Sequence, residues 1–166
     1  MEADTSDQRH VSETDPYVKL RLGSEKGQTS KKNNAGGHNV IFDDIVTFFR
    51  KRLFDNVLHI SVMDSDGYLT EFTDDDLGEN DFDVNQLDLQ PGEERENIVV
   101  DMRKKGEATG KVILTFIRKE PPPGAFAGIM HVTVNKIDEF DDSAGFMDKV
   151  SDCSKYNVCI GVDQFC

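Results

Sequence analysis

Apolar and polar residues alternate along most of this chain. In Tyr17-Val-Lys-Leu-Arg-Leu22, Val18, Leu20 and Leu22 share one side while Lys19 and Arg21 share the other, and the run stops at Gly23. That is the pattern of a half-buried strand ending in a turn. Ile45-Val-Thr-Phe-Phe49, Val57-Leu-His-Ile-Ser-Val-Met63, Asn97-Ile-Val-Val-Asp101 and Lys111-Val-Ile-Leu-Thr-Phe-Ile117 read the same way. So do Ile129-Met-His-Val-Thr-Val134 and Tyr156-Asn-Val-Cys-Ile-Gly-Val162. Gly-, Asn- and Asp-rich loops separate them, such as Lys32-Asn-Asn-Ala-Gly-Gly-His38. One helical turn is expected, near Arg50–Phe54. Short strands punctuated by turns predict an all-β protein, an antiparallel Greek-key β-sandwich of about eight strands.

Composition narrows the class. A chain of 166 residues makes one domain, or one and part of another. Its 37% apolar share, with eleven Phe, can build a core. No stretch approaches the ~20 apolar residues of a membrane span. The N-terminus is polar and acidic, so no signal peptide is expected. Cys153, Cys159 and Cys166 are odd in number and crowd the C-terminal end, which predicts reduced thiols in a cytoplasmic protein rather than a disulfide framework.

Charge changes the picture more. The formal charge is −13, which excludes obvious nucleic-acid binding and disfavours unaided binding to anionic lipid. The acid is concentrated: from Asp64 to Asp83 there are nine Asp and Glu and no Lys or Arg. Two carboxylates ~4 Å apart repel by about 4 kcal/mol at an effective dielectric of 20, so a compact cluster needs counter-charge, protonation or room.

Four stretches in order carry a resemblance: Asp15-Pro16-Tyr17-Val18-Lys19-Leu20, Asn39-Val-Ile-Phe42-Asp43-Asp44-Ile-Val-Thr-Phe48, Leu58-His-Ile-Ser-Val-Met-Asp64-Ser-Asp66 and Asp75-Asp76-Leu77-Gly78. Together they resemble the C2 domain, a calcium- and phospholipid-binding β-sandwich, over about residues 15–118. The resemblance implies that Asp15 supplies a first calcium loop and that Asp64, Asp66 and Asp75 supply a third, with Asp74 and Asp76 as alternatives to Asp75. A second acid is expected upstream of Asp15. Arg9 occupies the family position, so Asp7 is the expected ligand, with Asp4 as its alternative. Calcium, about two or three ions, is the implied cofactor, because it takes 6–8 oxygen ligands from irregular loops.

Tyr68, Leu69 and Phe72 lie within the same acidic loop. They are expected either to fold back as a local mini-core or to enter a bilayer once the acids are neutralised. On the second reading the loop is an electrostatic switch, repelled by anionic phospholipid without calcium and attracted with it. Lys19, Arg21, Lys26, Lys31 and Lys32 form a weaker candidate patch for phosphoinositides, as the resemblance implies. The expected location is cytoplasmic, peripheral at the membrane when calcium is bound. A calcium-independent protein-interaction C2 domain with solvated loop acids is the alternative.

No enzyme is expected. From Asp64 the spacing misses an EF-hand, since Gly67 falls at loop position 4 and Tyr68 at 5. Gly106-Glu-Ala-Thr-Gly-Lys111 is one residue short of a P-loop and reads as a β-turn. His10, His38, His59 and His131 are scattered, and neither Gly-x-Ser-x-Gly nor His-Glu-x-x-His occurs.

The resemblance also exposes an irregularity. The family's first strand, of the form Gly-x-Leu-x-Val-x-Val, has no counterpart in residues 1–14, yet Gly128-Ile-Met-His-Val-Thr-Val134 fits it. The expected organisation is therefore a C2 domain over 1–118 lacking its first strand, then a Pro-rich linker over 119–127. A β segment over 128–166 either begins a second C2 domain in a tandem protein or completes the first. If it completes the first, the strand is permuted or swapped, within one chain or in a strand-swapped dimer.

Overall fold

The computed structural model describes residues 14–35, 39–50, 56–65, 74–120 and 128–140. Eight strands are seen among them: β1 (Pro16–Leu22), β2 (Glu25–Gln28), β3 (Asn39–Arg50), β4 (Val57–Asp64), β5 (Asp75–Asp83), β6 (Glu94–Lys104), β7 (Glu107–Lys119) and β8 (Gly128–Asp138). A 3-10 turn, Val84–Leu87, follows β5. All pairings are antiparallel, in the spatial order β2-β1-β4-β5-β6-β7-β8-β3.

The sheet creases between β5 and β6, which share a single paired position, Glu79 with Arg103. On one side of the crease lie β2, β1, β4 and β5; on the other lie β6, β7, β8 and β3. The two layers close over one core. Val18, Leu20, Leu22, Leu58, Ile60 and Val62 face it from the first layer, and Phe48, Val112, Leu114, Phe116, Val132 and Val134 from the second. Phe82 of β5 stacks on Phe116 of β7 with ring centroids 5.3 Å apart, joining the layers. The expected all-β sandwich is what the chain forms, with Greek-key crossings: the path leaves β2, crosses to β3 in the other layer, and returns to β4 beside β1.

β8 lies between β7 and β3 and pairs with both. Its Met130, Val132, Val134 and Ile137 are all buried. β8 is the last of the described strands in chain order and an interior strand of its layer. Lys105 and Gly106, both at positive φ, make the two-residue turn between β6 and β7, as the hairpin twist requires. This is the segment whose Gly and Lys spacing approached a P-loop.

The open seam between the layers runs along β2 and β3. Side chains close it where no ladder does. Glu25 Oε2 accepts from Phe49 N at 2.6 Å, and Asp44 Oδ2 accepts from both Ser30 N and Ser30 Oγ at 2.7 Å. At Gly27 an added Cβ would collide with Val46, so β2 approaches β3 as closely as it does only through glycine. The Ser30 hydroxyl bond holds the Asp44 carboxyl below the ordinary carboxylate range, against a smaller desolvation effect; Ser30 N–H and Lys32 add to the lowering. A lowered folded-state pKa stabilises the fold above the ordinary value of 3.8, and that stabilisation is lost as pH falls through the folded value. Asp44→Asn should therefore lower the melting temperature by about 2–4 °C at neutral pH. In melts run at successively lower pH, the gap to wild type should begin to shrink near pH 3.8 and close once pH falls below the folded-state value.

Candidate functional site

Three strand ends define one end of the first layer: the start of β1, the end of β4 and the start of β5. Asp15 immediately precedes β1, Asp64 is the last residue of β4, and Asp75 is the first of β5. In register, Asp64 faces Asp75 on one side and Pro16 on the other. Directly opposed residues of an antiparallel pair project from the same face, Cβ to Cβ about 4.5–5.5 Å apart, where like charges are destabilising. Asp15, Asp64 and Asp75 thus lie at one rim of the sheet, with Asp64 and Asp75 directly opposed.

Backbone donors hold the acids there. Asp15 N donates to Asp64 Oδ1 at 2.8 Å, and Ser65 N donates to Asp15 O at 3.1 Å, so the β1 and β4 ends clasp each other. Asn34 N donates to Asp15 Oδ1 at 2.6 Å. That donor belongs to residues 29–35, which run on from β2 beside the β1 start. Lys32 N reaches Pro16 O and Ala35 N reaches Thr14 O, each at 3.1 Å. Among the described residues, no group of three or more His, Cys, Asp or Glu is placed to hold a metal ion. Asp7, Asp66, Tyr68, Leu69 and Phe72 lie outside the described residues, as do most of the 119–127 linker, residues 51–54 of the expected helical turn, and everything after Phe140.

The run Asp74-Asp75-Asp76, whose members the sequence leaves as alternatives, separates into three situations. Asp74 accepts from the Tyr17 hydroxyl and lies 3.8 Å from Lys31 Nζ, with its side chain only 3% exposed. Asp75 faces Asp64. Asp76 Oδ1 accepts from Gly78 N at 2.9 Å, bridging the start of its own strand. The acids at the rim offer carboxylate oxygens, which suit a hard divalent cation and not a thiol- or imidazole-seeking metal.

A second feature occupies the outer face of the first layer. Lys19 and Arg21 of β1, Lys26 and Gln28 of β2, and His59 and Ser61 of β4 line a groove of about 470 Å³. Strand alternation dictates it: Val18, Leu20 and Leu22 point to the core, so Lys19 and Arg21 must point out. Register then builds rows, with Gln28, Lys19, Ser61 and Glu79 in one and Lys26, Arg21, His59 and Asp81 in the next. His59 Nδ1 lies 2.6 Å from Asp81 Oδ1 and its Nε2 lies 3.5 Å from Glu79 Oε2, so β5 walls the groove with acid.

Lys31 and Lys32, grouped with Lys19 and Arg21 in the sequence reading, do not line this groove. Lys31 sits at the acidic rim, and Lys32 Nζ reaches Phe42 O at 3.5 Å and lies 5.6 Å from the Phe42 ring. Lys26, of the same basic run in the sequence, does line it, and so does His59, which the sequence shows only as a scattered histidine. The signal for His59 was present, since it is two residues from Ser61 on the same strand face, but it needs the β1–β4 register to be used.

Residues 2–99 match the family profile of the C2 domain. No curated protein matches the chain. C2 domains are typically non-catalytic modules that bind phospholipids or proteins. Among the described residues, no helix is long and apolar enough to cross a membrane.

Proposed function

The chain belongs to the C2 domain family, and from that premise we propose that it is a calcium-dependent phospholipid-binding module that targets or tethers membranes. The observation that carries this reading is the direct opposition of Asp64 and Asp75 at the rim where Asp15 leads into β1. Opposed carboxylates repel one another, and a divalent cation between them turns that repulsion into binding. Asp66 and Asp7 are proposed to complete the ligand set, and about two or three calcium ions to be held. These ions would add about +4 to +6 of charge at the rim and bridge lipid phosphates. Tyr68, Leu69 and Phe72 are proposed as the apolar tip, each gaining roughly 1.5–3 kcal/mol if fully buried and less in an interface. Co-sedimentation with phosphatidylserine vesicles, in calcium and in chelator, tests the proposal. Binding only in calcium supports it; equal binding in both marks a calcium-independent interaction domain whose loop acids are solvated.

The basic groove is proposed as a secondary site for a polyphosphorylated headgroup. Near an anionic surface each Lys or Arg contributes about 1 kcal/mol, so reversing Lys19 and Arg21 together removes at least two such contributions. Lys19→Glu/Arg21→Glu should weaken binding to vesicles containing phosphatidylinositol bisphosphate by at least about thirtyfold. Lys32→Gln, whose ammonium sits over Phe42, should change it little.

A further inference from the structure

Tyr17 is fully buried, yet it does not belong to the core. Alternation along β1 sends Val18, Leu20 and Leu22 inward and Tyr17 outward, onto the face that carries Lys19 and Arg21. An outward aromatic is ordinarily wet. This one is covered by charged groups: Lys19 Nζ lies 5.2 Å and Lys31 Nζ 5.0 Å from its ring centroid, and its hydroxyl donates to Asp74 Oδ2. Lys31 Nζ in turn donates to Ser65 Oγ at 2.6 Å and lies 3.8 Å from Asp74 Oδ2.

These contacts tie four separate pieces of chain. Tyr17 belongs to β1, Lys31 to the segment after β2, and Ser65 and Asp74 to the two stems of the acidic loop, immediately after β4 and immediately before β5. A carboxylate as buried as Asp74 is costly unless hydrogen-bonded and charge-paired. The Tyr17 hydroxyl and the Lys31 ammonium supply both needs. The ammonium also places a fixed positive charge among acids that would otherwise spread their stems apart.

We infer that Tyr17, Lys31 and Asp74 form a latch that fixes the stems of the acidic loop, so that Asp74 is a positioning residue rather than a metal ligand. Its consequence for calcium rests on the function proposed above, because the latch holds Asp64 and Asp75 in facing register. The latch itself exists without calcium, and the experiment separates the two.

Amide hydrogen exchange in chelator is measured on wild type, Tyr17→Phe, Asp74→Asn and the double variant. Tyr17→Phe keeps the ring and the charge and removes only the hydroxyl. Exchange at Met63–Ser65 and Asp75–Gly78 should accelerate by about tenfold in each single variant while β6, β7 and β8 stay unchanged. Exchange in the double variant should accelerate by less than the product of the two single accelerations, because Tyr17→Phe removes the bond that Asp74→Asn weakens. Calorimetric titration with calcium then follows on the same proteins. The single variants should bind as many ions as wild type with a midpoint weaker by about three- to tenfold. Unchanged exchange in Tyr17→Phe overturns the latch. A lower ion count in Asp74→Asn overturns the positioning role and makes Asp74 a ligand. Wild type that takes up no calcium overturns the calcium reading, and the exchange result then judges the latch alone.

Discussion

Asp64→Asn/Asp66→Asn should abolish calcium-dependent sedimentation with phosphatidylserine vesicles while leaving melting in chelator nearly unchanged. The two halves of this expectation have different causes. In chelator, Asn at 64 relieves the repulsion between Asp64 and Asp75 but weakens the bond from Asp15 N to Asp64 Oδ1, since a charged acceptor is the stronger one. The two effects oppose each other at a partly exposed rim, and the net change is small. In calcium, the loss is not offset. A divalent ion held by carboxylates loses two formal charges from its ligand set, and each full charge at ~4 Å is worth about 4 kcal/mol at an effective dielectric of 20. Site occupancy at any calcium concentration that saturates wild type should then be lost.

Melting supplies an independent readout. Calcium at a hundred times its dissociation constant stabilises the folded state by about 2.7 kcal/mol. For a chain of this length that raises the melting temperature by about 5–11 °C. Wild type should show the rise and the double variant should not. Vesicle binding by the variant equal to that of wild type in calcium would remove these acids from the mechanism.

Much of this was legible in the sequence because the signal was periodic. β1 and β4 alternate cleanly, with a core-facing set and a wet set, and their expected bounds nearly coincide with the observed strands. β3 was expected only over Ile45–Phe49 and in fact begins at Asn39. Its outer positions Ile41, Ile45 and Phe49 are apolar and exposed, so apolar residues on both faces blur the alternation that would have marked the full strand. β5 was hidden for the opposite reason. Its acids at 79, 81 and 83 are the exposed set, and the intervening Gly78 and Asn80 are not hydrophobic, so the run read as a loop.

The candidate site was legible by composition but not by role. Counting acids located the rim; only the facing of Asp64 and Asp75 and the burial of Asp74 distinguish one aspartate of a triplet from the next. The same holds for the basic residues. Lys19 and Arg21 shared a strand face and could be grouped from spacing alone, whereas Lys31 and Lys32 lie in a segment without periodicity, where sequence proximity says nothing about direction.

A chain ending at Glu120 should lose its cooperative melting transition and aggregate, because β8 is structural and not an appendage. β8 faces β3 at ten paired positions and β7 at nine. Removing it leaves two bare edges, each a template for pairing with another chain. It also strips the core of Met130, Val132, Val134 and Ile137. Fully burying each such side chain is worth roughly 1.5–3 kcal/mol, so the four together amount to about 6–12 kcal/mol, comparable to the roughly 5–15 kcal/mol that stabilises a typical domain. Two further measurements confine the effect to β8. Val132→Ala, a fully buried position, should cost about 2–3 kcal/mol and lower the melting temperature of the intact chain by about 5–10 °C. A peptide spanning 128–140, added to the shortened chain, should restore a melting transition, since the groove it fills is defined by β3 and β7 alone. Restoration in trans would also show that the strand can pass between chains, the geometry of a strand-swapped dimer. A shortened chain that stays monomeric and melts where wild type does would mean that the two layers close without β8.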